Sequence, residues 1–247
     1  MPLIGLSIVL QLLCAVHIMR TGRERYWIFV VLIGSYFGVA VYFFAEVLPN
    51  LHRDPMARRV AQDVRNRVDP EHGKRRAARN LDIADTIDNR RRLAEQSMAS
   101  GDYQGALEQY RKSLTGMYRT DPTLMLGIAQ AQFALDLPGE ARRTLEDLIA
   151  ANPDFRSPDG HLLYARAVEG DGDIERAIEE YEAVVPGFTG EEARVRFAQL
   201  LQRRGYHERA NALFNESIKR ASLAPKYYQR EQRQWTDIAK NALREPA

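Results

Sequence analysis

Small and large apolar residues follow one another along the middle of this chain with a period near 34. A bulky residue followed by alanine recurs four times, at Leu93-Ala94, Ile128-Ala129, Tyr164-Ala165 and Phe197-Ala198. Twelve residues after each of these alanines stands another: Ala106, Ala141, Ala177 and Ala210. Four residues further on comes a large apolar side chain, Tyr110, Leu145, Tyr181 or Phe214. Successive copies are offset by 35, 36 and 33 residues. Apolar positions three and four apart mark amphipathic helices, and turn chemistry such as Gly170-Asp171-Gly172-Asp173 separates the two alanines of a copy. The pattern predicts two antiparallel helices per copy. A methyl group on each lets the axes approach at one level, while larger neighbours fill the groove above and below. One hairpin leaves its outer face bare, so copies must stack.

The first 48 residues follow another pattern. Residues 1–19 carry no side chain charged at neutral pH, with His17 neutral. As a helix they span about 28 Å, close to the thickness of a bilayer's hydrocarbon core. Tyr26 to Ala45 is a second uncharged run, edged by Trp27, Tyr42 and Glu46 and stopped by Pro49. Aromatic residues at both ends suit the membrane interface. A cleaved signal peptide is the competing reading of the first run, but it lacks a basic start and a small-x-small cleavage site, and a second span follows at once. The expectation is a two-helix transmembrane hairpin over 1–48. Gly34 and Gly38 form a small-residue stripe for packing against the first span, and His17 falls at the interface beside Arg20.

Residues 49–86 read as a basic helical connector. Asp54-Pro55 looks like a helix start, and Asp69-Pro70 with Gly73 like its break. Arg53, Arg58 and Arg59 are candidate lipid contacts, since each basic residue near an anionic surface contributes about 1 kcal/mol; a solvated spacer is the plainer alternative. Three arginines in the loop (Arg20, Arg23, Arg25) stand against five in the twenty residues after Leu48. That bias predicts an inner, plasma-membrane protein crossing twice, with its C-terminal part cytoplasmic.

The register around Ala94 to Phe214 resembles the tetratricopeptide repeat (TPR), through its period and its A-x3-[YF] pattern. Asp102-Tyr103 after Gly101, and Gly172-Asp173, resemble that family's inter-helix turn, and Pro153 its terminal proline. The family's tryptophan position holds Arg90, Met125, His161 and Arg194. The resemblance implies an all-α solenoid of about four helix pairs over 87–220, with 221–247 as a capping helix carrying Tyr228, Trp235, Ile238 and Leu243. It also implies a protein or peptide partner on the concave face of the first helices. The residues one, three or four places from each first-helix alanine are then the groove candidates: Arg91, Glu95, Leu126, Gln130, Phe133, Leu162, Arg166, Gln199 and Gln202. Separately, the hairpin and its basic flank are similar to the N-terminal region of bacterial cardiolipin synthases. The phospholipase-D signature H-x-K-x4-D of those enzymes fails here, because His72-Gly73-Lys74 is followed by Arg79 where the aspartate belongs.

Composition changes this picture little. Net charge is +2 over 247 residues, with a mean hydropathy of −0.42, and neither points to nucleic acid. The single Cys14 excludes a disulfide framework and a cysteine zinc site. No nucleophile elbow, phosphate loop or H-E-x-x-H is present. Gly170-Asp171-Gly172-Asp173 lacks the terminal glutamate of a calcium loop. Glu175, Glu179, Glu180 and Glu182 read as a solvated helix face, and His161 and His207 lack metal spacing. The expectations are a non-enzymatic, membrane-anchored scaffold without cofactor or small-molecule substrate, or alternatively an accessory or sensor protein of anionic phospholipid metabolism.

Overall fold

The computed structural model describes residues 11, 12, 14–16, 18, 19, 26–33, 37, 41, 69 and 71–244. The chain divides into two compact units, Met1–His72 and Gly73–Ala247. In the first, α1 (Tyr26–Ile33) accompanies helical residues between Gln11 and Met19. Ile18 and Val31 are buried together, with Cys14 and Trp27 packed on them, and Gln11 Nε2 donates to the carbonyl of Val31 at 3.0 Å. Among the described residues no helix is long and apolar enough to cross a membrane. Most of the first apolar run, half of the second, Gly34 and Gly38, His17 and most of the stretch that carries the cardiolipin-synthase likeness lie outside the described residues.

The second unit is all-helical among its described residues. After α2 (His72–Ile83) come four pairs. They are α3 (Ile87–Ala99) with α4 (Tyr103–Ser113), α5 (Pro122–Ala134) with α6 (Pro138–Ala151), α7 (Pro158–Gly170) with α8 (Ile174–Val184), and α9 (Glu192–Arg203) with α10 (His207–Leu223). Each helix packs on its pair partner, and each second helix on the first helix of the next pair. The eight register alanines are all 0% exposed. Tyr110, Leu145, Tyr181 and Phe214 are buried beside them. The axes of neighbouring pairs come equally close at Gly127, where an added Cβ would lie 2.6 Å from Tyr110 Cζ.

The turn inside each pair has one geometric demand, seven residues after the first alanine. Gly101, Gly172 and Gly205 sit there with φ of +80°, +93° and +81°, and in the second pair the position is Asp136 at +60°. A side chain in this left-handed region is strained by about 1 kcal/mol or more, although aspartate tolerates it better than most. Asp136→Gly should therefore raise stability slightly, by up to about 1 kcal/mol or a few degrees in Tm. A lower Tm would mean that the Asp136 side chain offsets its strain through a contact.

The second helix of the first pair ends at Ser113, and Gly116 at φ +57° then opens a 3-10 turn. Gly73 lies in the first turn of α2, where its missing side chain leaves room for Gln96 of α3; the helix expected before Asp69-Pro70 lies outside the described residues. Lys74 Nζ reaches Asp102 Oδ2 at 2.7 Å. The lysine hydrogen bond first, and the Gly105 N–H second, hold the Asp102 carboxyl below its ordinary value. A depressed carboxyl pKa stabilises above the ordinary carboxylate range and loses that contribution as pH falls through the lowered value, so acid loosens α2 from the first turn.

One expectation is corrected at the C-terminal cap, which is not a single helix but two, α11 (Lys226–Glu231) and α12 (Arg233–Ala242), joined at Gln232. Gln232 Oε1 accepts the Glu191 N–H at 2.9 Å, and this anchor holds the junction. α12 buries Ala239 and Thr236 and packs Trp235, Ile238 and Leu243 on the core. Glu191, fully buried, accepts from Arg194 Nη1 at 2.9 Å and from the Tyr228 hydroxyl at 2.9 Å. Arg220 Nε lies 3.4 Å from Oε1, the oxygen that also accepts from Tyr228, and the buried Arg194 also faces Glu216 at 3.3 Å.

Candidate functional site

The nine groove candidates do not share one fate. At the position just after each first-helix alanine, Glu95 and Gln130 are exposed and Arg166 and Gln199 half-buried. At the position four after it, Phe133 and Gln202 are half-buried. These form an accessible face across α3, α5, α7 and α9. Three residues before the alanine the positions diverge. Leu162 is only 4% exposed, inside the core, which removes it from the groove. Leu126 is covered by the start of α7, since a Cβ on Gly160 would sit 3.4 Å from Leu126 Cδ1. Arg91 turns along its own helix to Asp88 Oδ1 at 2.8 Å. The periodicity places all three levels on one side of an isolated helix, but packing draws Leu162 at the earliest level into the core. Arg53, Arg58 and Arg59 lie outside the described residues.

The structure brings Phe133 and Arg166 together. The Arg166 guanidinium lies over the Phe133 ring, 4.6 Å from its centre, and Nη1 is 3.9 Å from Glu192 Oε1. Glu192 in turn accepts from Arg196 Nε at 2.7 Å, and Arg196 covers the Trp235 ring at 4.9 Å. An aromatic–cation–anion–cation–aromatic row thus crosses from α5 through α7 and α9 to α12. Stacking leaves the guanidinium edges free to donate while their faces are held by the rings. Burial, then the neighbouring Arg196 charge, lowers the Arg166 pKa, with Glu192 opposing. Glu192, Arg196 and Trp235 are invisible to the repeat register because they sit at other offsets in the period. The only trace of them in the sequence is the apolar stripe of the cap.

Beneath the row, the Tyr181 ring stacks on Phe197, with centres 5.7 Å apart. Its hydroxyl donates to Glu169 Oε2 at 2.8 Å, and Arg203 pairs with the same carboxylate. Burial first and Glu169 second push the Tyr181 phenol far above its ordinary pKa, so it acts as a neutral donor. Glu180 is not a solvated face residue as expected: it is largely buried and meets His161 Nε2 at 3.0 Å and Arg176 Nη2 at 2.7 Å. Among the described residues no three metal-ligating side chains converge.

Repeated helical hairpins stacked on one core, with an open face of first helices, define an α-solenoid. Residues 97–167 match the family model described as tetratricopeptide repeat, and the fold is that of TPR proteins. A thermophilic TPR protein of Thermus thermophilus superposes with a TM-score of 0.54 at 20% identity, over 68% of this chain and 87% of that one. MamA from Desulfovibrio magneticus RS-1 gives 0.55 at 18% identity, over 68% and 95%. YrrB, described as a TPR protein with an unusual peptide-binding site, gives 0.52 at 14% identity, over 82% and 98%. No curated protein matches the sequence.

Proposed function

We propose that this chain is a membrane-anchored adaptor that holds a protein or peptide partner on the face of its first helices. The observation that carries this reading is the Arg166–Phe133 stack with its continuation to Arg196 and Trp235. It presents oriented donors and flat apolar surface on consecutive helices, and arginine and aromatic side chains are those that most often supply binding energy. The peptide-binding site of YrrB supports the reading by analogy of fold.

The anchor rests on residues 1–48, as a two-pass inner-membrane hairpin with the repeats on the cytoplasmic side. The exposed apolar side chains Leu12, Val16, Met19, Phe29 and Phe37 support it, since such surface is costly in water. Alkaline carbonate should leave the full chain in the membrane pellet. Release into the supernatant rules the anchor out.

Arg166→Ala should weaken partner cross-linking in native membranes at least about tenfold. The double change Phe133→Ala with Arg166→Ala should abolish it, and should lower Tm by a few degrees because Phe133 also packs on the core. Replacing Arg58 and Arg59 should leave cross-linking intact. If the connector variant loses the partner and the groove variants keep it, the basic segment and its lipid surface are the working part.

A further inference from the structure

A second recess lies away from the face of the first helices. It has a volume of about 610 Å³ and runs between the C-terminal halves of α6 and α8, over the first turns of α7. Leu145, Leu148, Val184 and Leu126 form its floor, and Phe155 and the 52% exposed Ile149 its lips. The repeat register shows why it opens here. Four residues before each first-helix alanine stand Arg90, Met125, His161 and Arg194. Arg90 Nη1 donates to the Lys112 carbonyl at 2.9 Å, bridging the first pair. Met125 is buried, and Arg194 is buried and reaches α10 through Glu216. In the third copy the shorter His161 turns to Glu180 with its side chain 39% exposed, and the space beside it is left empty. The cleft is a vacancy in an otherwise filled register.

Its surroundings are acidic. Residues 138–190 carry twelve carboxylates against five arginines, a net charge of −7 in a chain whose total is +2. The cleft is flanked by the carbonyl ends of α6 and α8, and neither helix has a basic residue in its last turn. By contrast α4 ends with Arg111 and Lys112, and α10 with Arg220. A helix C-terminus carries partial negative charge, and here Arg156, bonded to the carbonyls of Pro153 and Phe155, is the nearby cation. The two carboxylates of the lining are themselves paired, Glu180 with Arg176 and His161 and Glu146 with Arg142, so the acidic rim is supplied by the flanking carboxylates of 138–190.

We propose that this lateral cleft is a second docking site, for a peptide segment that inserts one bulky apolar side chain flanked by lysine or arginine. The apolar floor and lips take the anchor; the acidic rim and the two helix ends take the flanking cations. The site is independent of the first-helix face, so one adaptor can hold two partners.

The test is fluorescence anisotropy with the full-length chain in detergent. The probe is a labelled peptide of about twelve residues, with a central tryptophan between two lysines on either side. Binding should fall at least about tenfold when the tryptophan becomes alanine or the lysines become glutamates. Ile149→Arg, a change at an exposed lip, should cost a similar factor, and His161→Trp, which fills the cleft, should do the same. Phe133→Ala should leave binding unchanged. Equal affinity for the glutamate peptide overturns the proposal. So does binding that survives Ile149→Arg but not Arg166→Ala, or a cleft that takes only an uncharged hydrophobic dye or a second copy of the chain.

Discussion

Ala177→Glu should unfold the third pair and carry the array with it, lowering Tm by roughly 10 °C or more. Ala177 is 0% exposed, in the register that joins α7 to α8, level with the equally buried Ala165. A carboxylate there has no room and no partner. Burying an unpaired charge costs several kcal/mol, and forcing four extra heavy atoms between touching helices adds to that. For a chain of this size each kcal/mol corresponds to about 2–4 °C. The third pair lies in the middle of the stack, so its loss also removes a neighbour from the second and fourth pairs. Glu179→Ala is the matched control two residues away. Its exposed carboxylate pairs only with Arg176 at 2.8 Å, and such surface pairs contribute about 0–1 kcal/mol. Equal melting of the two variants would show that the helices do not meet at these alanines.

The second large effect belongs to the cap. Glu191→Ala should destabilise the protein by about 3 kcal/mol, the usual consequence of leaving a buried charge without its partner. Arg194, 3% exposed, would keep only the distant side of Glu216, 3.3 Å from Nη2. Tyr228 would lose one of its two acceptors, the other being the Thr189 carbonyl. Both α9 and the α11–α12 cap are held through this one carboxylate, so residues 224–232 should become cleavable by protease before global unfolding. Glu191→Gln should be milder, because its amide oxygen still accepts from Tyr228. Glu191→Leu combined with Arg194→Met should recover much of the loss, since an apolar pair of similar volume removes both charges together. If Glu191→Ala melts and resists protease like the unaltered chain, the buried network does not hold the cap.

The groove shows where reading residues in order stops being sufficient. A 3.6-residue period says which side chains share a side of one helix. It does not say which levels of that side a neighbouring pair will cover, and for that reason Leu162 falls in the core while Arg166, four residues later, stays accessible. Phe133 and Arg166 were each legible as groove candidates from their type and register. Their stacking was not, because it joins residues 33 apart across two helices. Glu192, Arg196 and Trp235 follow no common offset, and only the packing of α12 against α9 and α10 assembles them.

The lateral cleft divides in the same way. The shortness of His161 against Met125 and Arg194 is visible in the register, but an empty space is visible only when its walls are in place. His161 and Glu180 find each other from adjacent helices of one pair, and this turns a residue of an expected solvated acidic face inward.

By itself the sequence determined the class of fold, the number of stacked pairs and the residues at which helices touch. Those follow from local rules: helix periodicity, turn residues and the need of each hairpin for a neighbour. The left-handed turn position was legible as glycine in three copies and hidden by Asp136 in the second. Tertiary structure alone decided the buried Glu191–Arg194 pair, the two-part cap, the cation–aromatic row and the open cleft. Each of these depends on side chains from different pairs meeting at distances of a few ångströms. The crossing of helices sets such distances, and no spacing along the chain encodes it.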